Sequence, residues 1–182
     1  MADIMMNVQE ARTQNTFTAL MWAFSHPGHP RPLPKTNLAP FFAIGETLVD
    51  LETSYYSSHD GLGQQLARLG GRPRSPQEAM YQFYPELGDA DLLDLEMAPV
   101  GTYTYPDHSA TLVLGVEFDV GTRIRLSGPG IPETTELFVE GIPQSFWSLR
   151  EKKVQYPLGW DVFLIGDGQV VGLPRTTIVE VL

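Results

Sequence analysis

Apolar residues recur along this chain with two periods, and the places where one period gives way to the other mark its elements. From Val8 to Ser25 the spacing is helical: Phe17, Leu20, Met21 and Phe24 form one stripe expected to be buried. Asn7 with Glu10 has the form of a capping box at the helix start. Ser25-His26-Pro27-Gly28 ends the helix, and His29-Pro30-Arg31-Pro32-Leu33-Pro34 is too rich in proline for helix or central strand, so it is predicted to run extended over the surface. Asn37 is expected to cap a second helix reaching about Leu51, with Phe41, Phe42, Leu48 and Val49 facing inward. Thr53 to Tyr56 has the composition of a short strand, His59-Asp60-Gly61 turns the chain, and Leu62 to Leu69 reads as a helix ended by Gly70-Gly71. Strand, turn and helix in succession open an α/β unit. Arg72 to Pro76 is a loop with two arginines. After it the pattern is ambiguous: Ser75-Pro76-Gln77-Glu78 reads as a helix start, and Tyr81-Gln82-Phe83-Tyr84 equally as a strand. Asp89 can cap a helix through Met97, stopped by Pro99.

The second half is mostly sheet. Tyr105-Pro106-Asp107 is a turn, and Ala110 to Val116 is a near-continuous apolar run fit for a central strand. Asp119-Val120-Gly121 is read as a turn into Thr122 to Leu126, where Arg123 and Arg125 alternate with Ile124 and Leu126 on a strand with one wet face. A further strand is expected near Leu137 to Val139. The helix Gln144 to Lys153 should carry Phe146, Trp147 and Leu149 inward and its charges outward. Tyr156 to Leu182 is the stretch around which the chain is organised. It offers a strand at Val162 to Ile165 and a hairpin turn at Gly166-Asp167-Gly168. A return strand from Val170 is stopped by Pro174, and a third strand follows at Ile178 to Leu182, the three together forming a sheet core. The fold class predicted is α/β, a mixed β-sheet flanked by helices, in a single domain over 1–182.

Bulk properties narrow the function classes. The 182 residues carry a net charge of −10 and are 42% hydrophobic, which suits a globular chain and argues against nucleic acid or an anionic membrane as partner. Cysteine is absent, so no thiolate nucleophile or iron–sulfur ligand set exists. The opening Met-Ala-Asp-Ile-Met-Met lacks the features of a signal peptide, and no apolar run approaches the ~20 residues of a membrane span, so a soluble, cytoplasmic protein is expected.

Candidate chemistry gathers at the end of the chain. Pro174-Arg175-Thr176-Thr177 puts a guanidinium and two hydroxyls at a strand end, a sensible anion contact. The alternative is that Arg175 pairs with a nearby carboxylate and the threonines close a turn. Ser127-Gly128-Pro129-Gly130 could let backbone approach a phosphate, or could be a tight connection between strands; it lacks the lysine and helix of a phosphate-binding loop. Asp161 is a possible base or structural acceptor. His26, His29, His59 and His108 are scattered and predict no metal site. Asp107, His108 and Ser109 have the composition of a catalytic triad, but neighbours on a strand point to opposite faces. No catalytic residue is assigned.

Several of these pieces resemble one family when taken in order. They are Phe17-Thr-Ala-Leu-Met with His26-Pro27-Gly28, Gly101-Thr-Tyr-Thr-Tyr-Pro-Asp107, Ser109-Ala-Thr-Leu, Leu126-Ser-Gly-Pro-Gly-Ile131, Pro157-Leu-Gly-Trp-Asp161 and Pro174-Arg-Thr-Thr177. Their order is similar to that of the PhnH subunit of bacterial carbon–phosphorus lyase, with the segment Arg72 to Glu96 departing most. The resemblance implies a fold like the large domain of the pyridoxal-phosphate transferases, without that cofactor. Lys35, Lys152 and Lys153 are the only lysines, and none sits in a context suited to a Schiff base. It also implies a core complex with the G, I and J subunits, a homodimer when isolated, and a setting of phosphonate use under phosphate limitation. The G, H and I subunits, with the L protein, are implied in transferring the ribose triphosphate of ATP to a phosphonate with release of adenine. The radical cleavage that follows belongs to the J subunit. Two readings result: an accessory subunit with no complete active site, or a stand-alone nucleotide- or phosphonate-binding enzyme. The second would use Arg175, Thr176, Thr177, Asp161, Ser127, Gly128 and Gly130.

Overall fold

The structure, a computed structural model, describes residues 7–182; the N-terminal reading of residues 1–6 lies outside it. Helix α1 spans Val8–Ser25, and its capping box forms as the sequence predicts, with the Glu10 amide donating to Asn7 Oδ1 at 2.8 Å. The proline-rich segment contributes a two-residue exposed strand, β1 (Arg31–Pro32). Next come α2 (Pro40–Leu48), β2 (Ser54–Ser57) and α3 (Asp60–Leu66), with a 3-10 turn at Ala67–Leu69. The ambiguous region resolves as strand: β3 (Arg72–Pro73) and β4 (Tyr81–Tyr84). After α4 (Asp89–Glu96) follow β5 (Thr111–Gly115), β6 (Glu117–Ser127), β7 (Thr135–Glu140), α5 (Gln144–Lys153), β8 (Asp161–Gly166), β9 (Gln169–Leu173) and β10 (Ile178–Val181).

Seven strands form a mixed sheet in the order β1-β9-β8-β5-β4-β2-β3. From β3 through β8 the neighbours run parallel, and β9 and β1 close one edge antiparallel. A second, antiparallel sheet has the order β10-β6-β7. Side chains alternate across the main sheet. Phe83, Val113, Phe163, Ile165 and Val170 pack with Leu20, Ile44 and Leu66 of α1, α2 and α3. Their neighbours Tyr84, Leu112, Leu114, Val162 and Leu164 pack with Ile124, Leu137 and Phe146 of β6, β7 and α5. Both faces of the central strands are therefore dry, which is why β5 and β8 read as continuous apolar runs.

Five expectations are corrected. The third strand of the C-terminal stretch, β10, leaves the main sheet and pairs with β6, because Pro174–Thr177 turns the chain away after β9. Asp119-Val120-Gly121 does not separate strands; it is a bulge within β6, with Asp119 and Gly121 at φ 65° and 79° and the register against β7 shifting between Phe118 and Thr122. Helix α2 starts at Pro40 after Ala39, not at Asn37, since proline suits the first helical position; it ends at Leu48, leaving Leu51 exposed. On α1 the buried face is Thr16, Ala19, Leu20 and Ala23, while Phe17 and Met21 are 48% and 38% exposed. On α5 not every charge points outward. Arg150 is buried beside Phe146 and Trp147.

Candidate functional site

Pro174 ends β9, and the Pro174–Thr177 turn closes with the Thr177 amide donating to the Pro174 carbonyl at 2.9 Å. Arg175 reaches from that turn across the edge of the fold. Its Nη1 donates to the carbonyls of Pro106 at 2.6 Å and Pro157 at 3.3 Å. Its Nη2 donates to Ser109 Oγ at 2.6 Å and to Asp161, and its Nε to Asp161 Oδ2 at 3.2 Å. The Arg175 amide adds a bond to Asp161 Oδ1 at 2.8 Å. The five N–H groups of a guanidinium all have acceptors here. In this geometry Asp161 is an acceptor and Arg175 a hub. Such a forked pair orders the chain wherever two segments must meet at a fixed angle.

A second arginine holds the same turn from the other side. Arg150, from the last turn of α5, donates through Nη1 to the Thr177 carbonyl and through Nη2 to the Pro174 carbonyl, each at 3.0 Å. Only 3% of Arg150 is exposed. Burial pulls its guanidinium down to about 10, and the negative charge of Asp161 offsets part of that. The end of α5 favours a cation, because the helix dipole is negative there.

The Ser127–Gly130 loop lies against this turn. Gly128, at φ 128°, passes so close to the Thr176 carbonyl that a Cβ would stand 2.7 Å from its oxygen. Gly130, at φ 85°, abuts Pro27 at the end of α1, at 2.9 Å by the same measure. Ser127 stands opposite Ile178 in the β6–β10 pair. Asp161, Arg175, Thr176, Thr177, Ser127 and Gly128 are thus neighbours, and Gly130 faces α1. Four of the motif segments, ending at Asp107, starting at Ser109, ending at Asp161 and starting at Pro174, meet on the Arg175 guanidinium.

The model of one family, the bacterial phosphonate metabolism protein (PhnH), matches residues 6–180. The chain belongs to the PhnH family. A C-P lyase subunit protein, HtxG, of Stutzerimonas stutzeri is 36% identical over 173 residues, covering 93% of this chain and 86% of its own length. The alpha-D-ribose 1-methylphosphonate 5-triphosphate synthase subunit PhnH of Rhizobium meliloti (strain 1021) is 30% identical over 183 residues, covering 92% of this chain and 90% of its own. This PhnH-family chain is accordingly placed in the carbon–phosphorus lyase pathway.

The histidines and lysines of this PhnH-family fold are dispersed. Ser109 Oγ is engaged by Arg175, while His108 stacks on Tyr105 with ring centroids 4.9 Å apart. His26 stacks on Trp22, and His59 accepts the Leu62 amide at the start of α3. Among the described residues no group of three His, Cys, Asp or Glu is placed to hold a metal ion, and no helix is long and apolar enough to cross a membrane. Lys35 lines a cleft beside Pro34 and Asp167, whereas Lys152 and Lys153 end α5. Sequence reasoning placed Trp147 inward, as found, and missed Arg150. Arg150 stands four positions after Phe146, so the helical period already put it on the buried face.

Proposed function

We propose that this chain is an accessory subunit of the carbon–phosphorus lyase core complex, without a complete active site of its own. In this reading it is required with the G, I and L components for transfer of ribose 5-triphosphate from ATP to an alkylphosphonate, releasing adenine. The observation that carries it is the near full-length match to a relative named as a subunit of the corresponding synthase. The Arg175 geometry supports it too. A guanidinium whose donors are all taken by its own chain holds four segments in register, and a ligand could recruit it only by breaking those bonds.

The proposal includes G, I and J as physical partners, a homodimer when the chain is isolated, and work as one unit over 1–182 in the cytoplasm under phosphate limitation. It also includes a likeness of the fold to the large domain of the pyridoxal-phosphate transferases, without the cofactor; the parallel strands covered by helices on one face support that likeness. The deciding experiment is co-expression with the G, I and J subunits of the same operon, followed by native mass measurement. A stoichiometric complex containing this chain is expected. Assembly of the other three without it would sink the reading.

A further inference from the structure

The two sheets end in edges of different kinds. The main sheet closes on β1 and β3, two residues each with one a proline, which leaves little backbone for another strand to pair with. In the small sheet α5 packs along β10. The opposite edge is β7, six residues without proline, with β6 as its one strand neighbour. The ladder fixes where the backbone of β7 points. The Arg123 carbonyl accepts the amide of Leu182, just past β10, at 3.0 Å, so Arg123 and, two residues on, Arg125 direct their peptide groups to β10. Ile124 and Leu126 therefore face β7, opposite Leu137 and Thr135. Alternation turns the N–H and C=O groups of Glu136, Phe138 and Glu140 to the open side, where no backbone partner meets them among the described residues. The side chains of these three lie on the wet face, with Phe138 42% exposed, while Leu137 and Val139 are buried.

Charge indicates what would fit there. From Leu126 to Leu149 the chain holds Glu133, Glu136 and Glu140 and no lysine or arginine. Arg123 and Arg125 engage Glu136, which leaves Glu133 and Glu140 without a counter-charge among the described residues. A second copy is a poor occupant. Two β7 strands in full antiparallel register, centred on Phe138, set Glu136 opposite Glu140 on both sides, and like charges directly opposite destabilise a sheet. A strand of opposite charge meets no such penalty, and main-chain bonds to an exposed edge are a general way of holding an extended polypeptide.

We propose that β7 is a docking edge for an extended, basic segment of a partner polypeptide, which joins the small sheet as a further antiparallel strand. Lysines or arginines at alternate positions stand opposite Glu136 and Glu140 on the wet face. The apolar residues between them continue the layer of Leu137 and Val139. The edge follows from the ladder of this chain alone; that its occupant belongs to another subunit of the same assembly rests on the subunit reading.

The test is titration of the ¹⁵N-labelled full chain with a capped hexapeptide of alternating lysine and valine. Saturable shifts are expected at the amides of Glu136, Phe138 and Glu140. In an antiparallel pair the lysine peptide groups face β7, so methylating the lysine backbone nitrogens should weaken binding at least ~10-fold, and methylating those of valine less than about threefold. These comparisons leave the protein itself untouched. Glu140→Lys is expected to weaken binding about two- to tenfold, and the glutamate–valine hexapeptide should bind more weakly than the lysine one. No saturable shift at the three amides, binding that survives lysine methylation, or equal binding of the glutamate peptide overturns the docking edge. Native mass measurement of the whole assembly tests the subunit reading separately, so either can fail alone.

Discussion

Arg175 and Arg150 hold the same four-residue turn by different physics. Arg175 has a carboxylate partner, so its removal leaves Asp161 half-buried and without its counter-charge. Arg175→Ala is expected to cost about 3 kcal/mol, the scale for breaking a largely buried ion pair, read as a lower midpoint in urea denaturation. Arg175→Lys should recover less than half of that, because one ammonium cannot reach Pro106, Ser109 and Asp161 together. At this scale the sequence was informative about side-chain types and blind to backbone partners. A guanidinium and a carboxylate could be seen as partners in advance. Carbonyls such as those of Pro106, Pro174 and Thr177 have no signature, since every residue carries one.

Helix α1 shows how far periodicity reaches at the scale of an element. Its ends were legible from the capping box and from Pro27-Gly28, but its facing only in part: Leu20 and Phe24 turn to the core as the stripe predicts, and Phe17 and Met21 do not. The large residues Phe17 and Met21 share a stripe, yet Ala19 and Ala23 face β9, where a Cβ on Gly172 would stand 2.5 Å from the Ala23 carbonyl oxygen. Small residues let the helix approach the strand that closely, and the bulky ones are displaced to the flank. Leu20→Ala is therefore expected to cost about 3 kcal/mol. The double change Phe17→Ser and Met21→Ser should stay within about 0.5 kcal/mol for each site in the isolated chain, as for ordinary surface positions. Chemical denaturation of both variants checks this, and a large loss in the double variant would mean that the facing is wrong. The bulge in β6 and the departure of β10 were illegible for a related reason: both depend on which strand lies alongside, which local pattern does not specify.

For the whole molecule, the titrating groups set an alkaline limit. Burial raises Tyr84 above its ordinary range, with the charges of Tyr56, Asp91 and Asp94 adding to it; Tyr55, Tyr56 and Tyr81 shift the same way, burial first. A phenol raised on folding contributes stability below its unfolded value of about 10 and loses it as pH climbs toward the folded value. Arg150 has the opposite sign, since its guanidinium falls to about 10 and its burial penalty fades above that pH. Four groups against one make the net slope negative. The melting temperature is expected to fall steeply above about pH 10, together with the rise of tyrosinate absorbance, and Tyr84→Phe should flatten that fall. A flat profile through this window would contradict the burial of these rings.

The pairing of Arg31 with Val170 has a consequence for how the protein is made. The ribosome releases α1 and β1 long before β8 and β9, the strands on which they rest. Until those strands emerge, the face of Leu20 and Ala23 has only α2 and α3 to lean on, and early collapse can only be provisional. Contacts so distant along the chain slow folding, because a long loop must close before they repay it. The nascent polypeptide therefore carries a half-covered helix for most of its synthesis, which makes it a natural client for chaperones that shield apolar segments during translation.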